Sequence, residues 1–526
     1  MLMKKPLVHL VAAALIGAGW PAHAPLAQVR LPTLGDAVSE DLSVSDERRL
    51  GEQIMREVRR DASYLDDPLL LDYVQSLWQP LAAAARSRGD IGVDIDTAFA
   101  WEVFLVGDRS VNAFALPGGF VGVHLGLIAM THTRDELASV LAHELSHVTQ
   151  RHIARRIASA QRQSLVGLAA MMLGLLAASR AGSADAAQAA VVGSQAALIQ
   201  GQLNYSRDME READRIGWGL FVDAGYAPQG MAFMFERMAQ SARLVDDNSF
   251  PYLRTHPLTI ERIGEARTRL ESLTTVRPAT TGVFEHALMQ ARARVLMATG
   301  VQALRRAQQA SAAPDASPAQ RLGALYGNAL ASLRLGEADA AVQVLADARA
   351  LLRHSPLRDA QEDRRAAHAI ALLDAEVRVA RGDAAGALAL LDAEPQAARA
   401  WLLQRAQAAL AAARAGAPPT AATLRRSVEA LQAWTAERRG DALAWSLLSQ
   451  GAALLGQPLR AVRAEAEARA ALGDLPGAID RLRAGQRLAR EGATSDFVEL
   501  SVIDARLRDL QAEHRARMAE MRGNGG

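Results

Sequence analysis

The spacing of apolar positions changes character several times along the chain. Leu7 to Trp20 is an unbroken apolar run behind two lysines, within "MLMKKPLVHLVAAALIGAGWPAHAPLAQ". A charged start, an apolar stretch and then small residues is the layout of a secretory leader. Ala24 and Ala27 are its two candidate cleavage points, with Pro25 counting against the first. Polar sequence follows, and "SDERRLGEQIMREVRR" opens a helix with Ser45 as the expected N-cap. From Trp101 to Ile128 the runs shorten to "WEVFLV", "VNAFAL" and "GFVGVHLGLI", broken by "GDRS" and "PGG", which predicts a small sheet. "THTRDELASVLAHELSHVTQRH" then returns to helical spacing, with Leu137, Val140, Leu141, Leu145 and Val148 as its apolar stripe. Thr133 and Glu136 are placed to form a capping box at its start.

One further apolar run, Leu165 to Ala178, reaches only about 21 Å as a helix, short of the roughly 30 Å of a bilayer's hydrocarbon core. Its pattern suits a buried helix first and peripheral contact with a membrane surface second. The surrounding residues 160 to 203 are rich in Gly, Ala and Ser and suit a lid. Beyond about residue 275 the pattern is helical and alanine-rich throughout. "LRLGEADAAVQVL", "RVARGDAAGALALL", "ALLGQPLRAVRAE" and "AALGDLPGAIDRL" each read as helix end, glycine, polar turn and helix start. Gly456 and Gly473 lie 17 residues apart, half of a 34-residue helix-pair period, whereas Gly336 and Gly382 lie 46 apart. This predicts a degenerate array of tetratricopeptide-like hairpins, with loops at 311–320 and 414–423; an unrelated helical bundle is the alternative.

Composition narrows the picture. Only 4% of residues are aromatic although half are apolar, which favours closely packed helices over a β-sandwich. The 59 basic and 58 acidic residues cancel, so nothing points to nucleic acid. With no cysteine there is no disulfide, no lipidated thiol and no thiolate metal ligand.

Chemistry concentrates in "LAHELSHVTQRH", residues 141 to 152. His143 and His147 are i and i+4 on one helical face, close enough to bind a single zinc ion. Glu144, one step round, reaches a water on that zinc and acts as general base. His152, five residues past His147, is expected to point away, as a supporting or surface histidine. A catalytic zinc needs a third protein ligand, and "NYSRDMEREADRIGWGLF" offers one. Glu210 can ligate while Asp214, again i+4, accepts the free N–H of a ligand histidine. Ala213 and Gly217 would let this helix approach the first closely, and Glu212 projects to the opposite side. An acidic helix of this kind is otherwise a solvated surface.

"HELSH" and "EREAD", with "NAFALPGG" upstream and "THPLTIERI" downstream, resemble the HtpX/BepA-type zinc metallopeptidases, most of all the exported BepA-type branch with its C-terminal tetratricopeptide repeats. The likeness covers about residues 45 to 275 closely and the remainder loosely. It implies a mainly α fold with a small β-sheet, divided into a signal peptide (1–27), a linker (28–45), a zincin-like peptidase domain (46–275) and a helical repeat domain (276–526). It also implies one zinc per chain on His143, His147 and Glu210, catalysis at Glu144 and a supporting role for Asp214. His256, in "RTHPLT", would either donate to the oxyanion or cap the metal as a brake; a histidine satisfied in a structural turn is the plain alternative. The strand bent by Pro117-Gly118-Gly119 could offer an edge to an extended substrate, or be no more than a hairpin.

The resulting expectation is a periplasmic endopeptidase degrading misfolded or misassembled outer-membrane proteins, its repeats recruiting substrate or an assembly machine. A chaperone or assembly adaptor with a latent protease site is the alternative, and a narrow peptidase with one small substrate a distant third.

Overall fold

A computed structural model describes residues 42–159, 207–244, 250–272, 283–354, 360–394, 397–416, 420–491 and 496–523. The expected leader (1–27), the run Leu165–Ala178 and the segment 160–203 lie outside the described residues. The chain is mainly helical with one small sheet, and among the described residues no helix is long and apolar enough to cross a membrane.

The first part comprises α1 (Val44–Val58), β1 (Tyr64–Leu65), α2 (Pro68–Arg88), α3 (Val93–Ala98), β2 (Glu102–Val106), β3 (Ala113–Leu116), β4 (Phe120–His124), α4 (Leu125–Met130), α5 (Arg134–Thr149), α6 (His152–Ser159), α7 (Arg207–Asp223), α8 (Gln229–Leu244), α9 (Pro251–Thr255) and α10 (Ile260–Glu271). Ser43, not Ser45, caps α1: its hydroxyl accepts from the Asp46 N–H at 3.1 Å, and Ser45 already lies inside the helix. The three expected strands form, but "LGLIAM" leaves the sheet as α4. The sheet order is β1-β2-β4-β3, with β2 and β4 parallel and both outer pairs antiparallel. β1 was not expected, since two residues carry no periodic signal. The β3–β4 turn uses Gly118 and Gly119 at φ 76° and 87°, and a Cβ at Gly119 would lie 2.9 Å from the Cβ of Phe99. Both conformation and space select glycine there.

Helix α5 is the centre of this part. Thr133 accepts from the Glu136 N–H at 3.2 Å, but the Glu136 carboxylate accepts from His132 N–H at 2.7 Å, so the capping box closes one residue early. The helix is buried on every side from Asp135 to Thr149, between α2, α7, α8 and β3. Its polar face is therefore turned toward other helices and not toward solvent.

The second part runs α11 (Val283–Leu296), α12 (Val301–Gln309), α13 (Pro318–Arg334), α14 (Ala338–His354), α15 (Ala360–Ala380), α16 (Ala384–Ala393), α17 (Arg399–Arg414), α18 (Thr420–Glu437), α19 (Ala442–Leu454), α20 (Pro458–Ala471), α21 (Leu475–Arg490) and α22 (Phe497–Gly523). From α12 onward each helix packs on the next. Four of the turns repeat one device. Gly336, Gly382, Gly456 and Gly473 have φ between 69° and 81°. The following N–H of Glu337, Asp383, Gln457 or Asp474 donates back to the carbonyl of Ser332, Arg378, Ala452 or Arg469. Each is a left-handed glycine terminating a helix and reversing the chain.

The helical array folds back on the first part through α11, which packs on α2 and α4, and through α17, which packs on α2. Buried Arg292 of α11 grips the Asp67 carboxylate at 2.8 Å, while Asp67 also caps α2 by accepting from Leu70 N–H at 3.0 Å. His286 sits beside it. Its Nε2 donates to the Thr131 carbonyl at 3.0 Å, so its Nδ1 accepts from the Tyr73 hydroxyl at 2.6 Å. Burial pushes the pKa of His286 from 6.5 down to about 4.

Between these values the unfolded chain takes up a proton that the folded chain refuses, so stability falls as pH drops from 6.5 toward 4. This side chain accounts for up to about 3 kcal/mol of that loss. Urea unfolding at a series of pH values should give a shallower acid slope in His286→Gln than in the wild type. Parallel slopes would remove His286 from the account.

Candidate metal centre

Two buried helices build the centre, and small residues set their separation. Ala213 is fully buried on α7, and a Cβ at Gly217 would stand 3.1 Å from the Ala142 carbonyl of α5. At that spacing the i, i+4 pair of α5 meets the i, i+4 pair of α7. His143 Nε2 lies 3.0 Å from His147 Nε2, and Glu210 places Oε2 3.5 Å from His143 Nε2 and Oε1 3.5 Å from His147 Nε2. His256 enters as the C-cap of α9, its Nδ1 2.9 Å from Glu210 and 3.4 Å from His143. One ligand-type atom from each of His143, His147, Glu210 and His256 lies within 4.8 Å of all the others.

Two atoms about 2.1 Å from a common tetrahedral cation are about 3.4 Å apart. The observed separations, 2.9 to 3.5 Å, cluster around that value. Two or three imidazoles and a carboxylate, with no sulfur, form a donor set suited to zinc and its neighbours. Glu144 stands at the edge of the group, 3.6 Å from His256 Nε2, and neither of its buried oxygens has a hydrogen-bond partner. A wholly buried carboxylate without a donor is costly, and it stands beside the place where, among the described residues, four donor atoms converge.

The electrostatics lead to the same point. Burial opposes charge on His143, yet Asp214 at 3.0 Å and Glu210 lift its pKa to about 9. Burial and the charge on His143 push His147 well below its usual value. Burial works against ionisation of Glu210, but His256 and His143 hold it well below the carboxylate range. Asp214 is held down in the same way by Arg262 and His143. A proton on His143 thus supplies part of the positive charge that a divalent cation between the four donors would supply in its place.

Arg262 of α10 was not singled out from sequence, though it belongs to the quoted "THPLTIERI". It grips Asp214 with two nitrogens at 2.6 and 2.8 Å, reaches Glu210 at 2.9 Å, and donates to the Pro257 carbonyl at 2.8 Å. Glu212 is not one of the four converging donors; its Oε2 lies 3.1 Å from Nε2 of His152. His152 does not point away from the ligand histidines: it is fully buried with Nδ1 2.7 Å from Nδ1 of His147, which fits the supporting role and not the surface one. The reason is a break. α5 ends at Thr149, Arg151 takes φ 48°, and α6 starts at His152 on a new axis.

A buried group of histidines and a carboxylate, with an unpartnered glutamate beside it, defines a metal-dependent peptidase by class. The profile of peptidase family M48 matches residues 72–270, and the chain belongs to that family of metallopeptidases. It is 32% identical over 517 residues to the beta-barrel assembly-enhancing protease of Escherichia coli K12, covering 97% of each chain. Identity to the protein of that name from Yersinia pestis is 36% over 250 residues, or 47% of this chain and 48% of that one. The mitochondrial metalloendopeptidase OMA1 of Saccharomyces cerevisiae is 28% identical over 236 residues, which is 43% of this chain and 63% of that one.

Arg262→Met strips Asp214 and Glu210 of their shared counter-charge. The metal-free protein should lose about 3–5 kcal/mol in urea unfolding, the usual loss when one partner of a buried ion pair is removed. An unchanged midpoint would show that the carboxylates are neutralised without it.

Proposed function

We propose that the chain is an exported, zinc-dependent endopeptidase that removes misfolded or misassembled outer-membrane proteins in the periplasm. The observation that carries this reading is the convergence of His143, His147 and Glu210 around one position with Glu144 alongside. Relatives named for β-barrel assembly, one of them aligned over nearly its whole length, support the substrate class.

In this reading His143, His147 and Glu210 hold the ion. Bound zinc supplies Lewis acidity, acidifying a water and polarising the scissile carbonyl. Glu144 takes the proton from the attacking water and passes it to the leaving amine. Asp214, itself clamped by Arg262, fixes the ring of His143 and keeps its proton on Nδ1. β3 is an outer strand of the sheet, and the carbonyl of Val111 just before it accepts from Tyr252 N–H at 3.3 Å. Among the described residues no strand pairs with its outer edge, and the segment carrying His256 is its neighbour, which suits an extended substrate laid along β3.

The boundaries at 27, 45 and 275 belong to this proposal, as does a tetratricopeptide-like identity for the array. Repeated glycine-turned hairpins support the latter, and such arrays present concave surfaces for partners. One observation favours the second reading, an assembly chaperone whose peptidase is latent: His256 Nδ1 takes the fourth corner of the donor group. A substrate carbonyl or water needs that corner, so His256 acts as a brake in this arrangement.

Cleavage of an unfolded protein by the zinc-loaded chain tests both readings. Glu144→Gln should lower the rate by about 10² to 10⁴, the usual worth of a general base, while His256→Ala should raise basal cleavage several-fold. A loss in His256→Ala would make it a catalytic donor. Absence of cleavage in all three, with zinc and unfolded chain still bound, would transfer the function to the adaptor.

A further inference from the structure

The two ligand histidines proposed above are not held alike. His143 presents Nδ1 to a carboxylate, Asp214, at 3.0 Å. His147 presents Nδ1 to another imidazole, that of His152, at 2.7 Å. The opposite nitrogen of His152, Nε2, lies 3.1 Å from Glu212 Oε2, and the same oxygen accepts from Arg155 Nη1 at 2.8 Å.

Donor and acceptor roles follow from the end of this chain inward. The guanidinium of Arg155 only donates, so Glu212 meets it as a carboxylate and accepts. Glu212 therefore accepts from His152 as well, which places the proton of a neutral His152 on Nε2. Its Nδ1 is then a bare lone pair, and the 2.7 Å contact is satisfied only if His147 Nδ1 carries the hydrogen. Nε2 of His147 is left unprotonated, and that is the atom 3.0 Å from Nε2 of His143 in the donor group.

The backbone is bent to build this arrangement. Arg151 is one of two non-glycine residues with positive φ among the described residues, a conformation that disfavours side chains. It is held there by donation to Glu47 at 2.9 Å and to the Leu42 carbonyl at 2.7 Å, both on the α1 side of the fold. A continuous helix would carry His152 away from His147; the break brings it in. Strained positions persist where the surroundings over-determine them, and they cluster at functional sites.

We propose that His152 and Glu212 are positioning residues that lock His147 in its metal-binding tautomer through an imidazole–imidazole–carboxylate relay. The proposal rests on the zinc reading of the preceding subsection.

Zinc affinity of the purified chain, measured by competition with a chromophoric chelator, tests this without reference to turnover. His152→Leu should weaken zinc binding about 10- to 100-fold, as is usual when a ligand histidine loses its hydrogen-bond partner. His152→Asn, whose Oδ1 stands near the position of the ring Nδ1, should recover most of the loss. Glu212→Leu should weaken binding in the same direction, and metal-free melting temperatures should stay at the wild-type value. Wild-type affinity in His152→Leu would overturn the relay alone. So would a loss that Asn fails to recover together with earlier melting of both metal-free variants, which marks packing. A wild-type chain that holds no zinc, like a His143→Ala control, would overturn the metal reading itself.

Discussion

Everything at this centre follows from the cost of keeping charge out of water. Glu144, Glu210 and Asp214 are buried together in the seam between α5 and α7, and among the described residues Arg262 is the guanidinium that pairs with two of them, Glu210 and Asp214. Formally, three carboxylates against one guanidinium leave two negative charges in a region sealed from solvent. Isolated buried charges of that kind are too costly to keep. A proton on His143 relieves part of the excess; one divalent cation cancels all of it. The packing makes the problem acute: Ala213 is fully buried and a Cβ at Gly217 would stand 3.1 Å from the Ala142 carbonyl, so the two helices meet closely. The same closeness sets donor separations that suit a cation. Helix packing and metal affinity are thus two consequences of one choice of small residues.

The helical array shares a wall with this seam. Helix α2 packs on α5 and α7 along one side and on α11 and α17 of the array along another. Its N-terminus is fixed by Asp67, which also holds Arg292 of α11, while Asp66 and Asp72 receive Arg399 N–H groups and the Ala400 N–H from α17. Arg399 is shared, since its Nε donates to Asp441 of the array at 2.7 Å and its Nη2 donates to both Asp441 and Asp66 at 2.8 Å. Polar contacts of this sort are directional and tolerate little sliding. The array is therefore oriented relative to the metal group, not loosely tethered to it.

What was legible in the sequence was whatever regular geometry determines. An i, i+4 pair lies on one face of any α-helix, so His143 with His147, and Glu210 with Asp214, could be paired before any coordinates were known. The three longer strands declared themselves by composition and breakers, and the glycine turns of the array by position. The misses share a cause of the opposite kind. Ser43 caps α1 because the chain approaches extended at that residue, a fact about φ and ψ that neither serine advertises. Glu136 turns back to His132 because Arg237 pulls its carboxylate from a helix a hundred residues away. β1 exists only because Tyr64 and Leu65 find β2 to pair with. His152 was misplaced because its angle was reckoned along a helix that stops at Thr149, and nothing local to Arg151 reveals that Glu47 and Leu42 will hold it left-handed. Such irregular points are where long-range contacts overrule local preference. They are also where side chains are re-aimed for chemistry, so a residue that departs from the expected helical angle is the one whose partners most merit tracing.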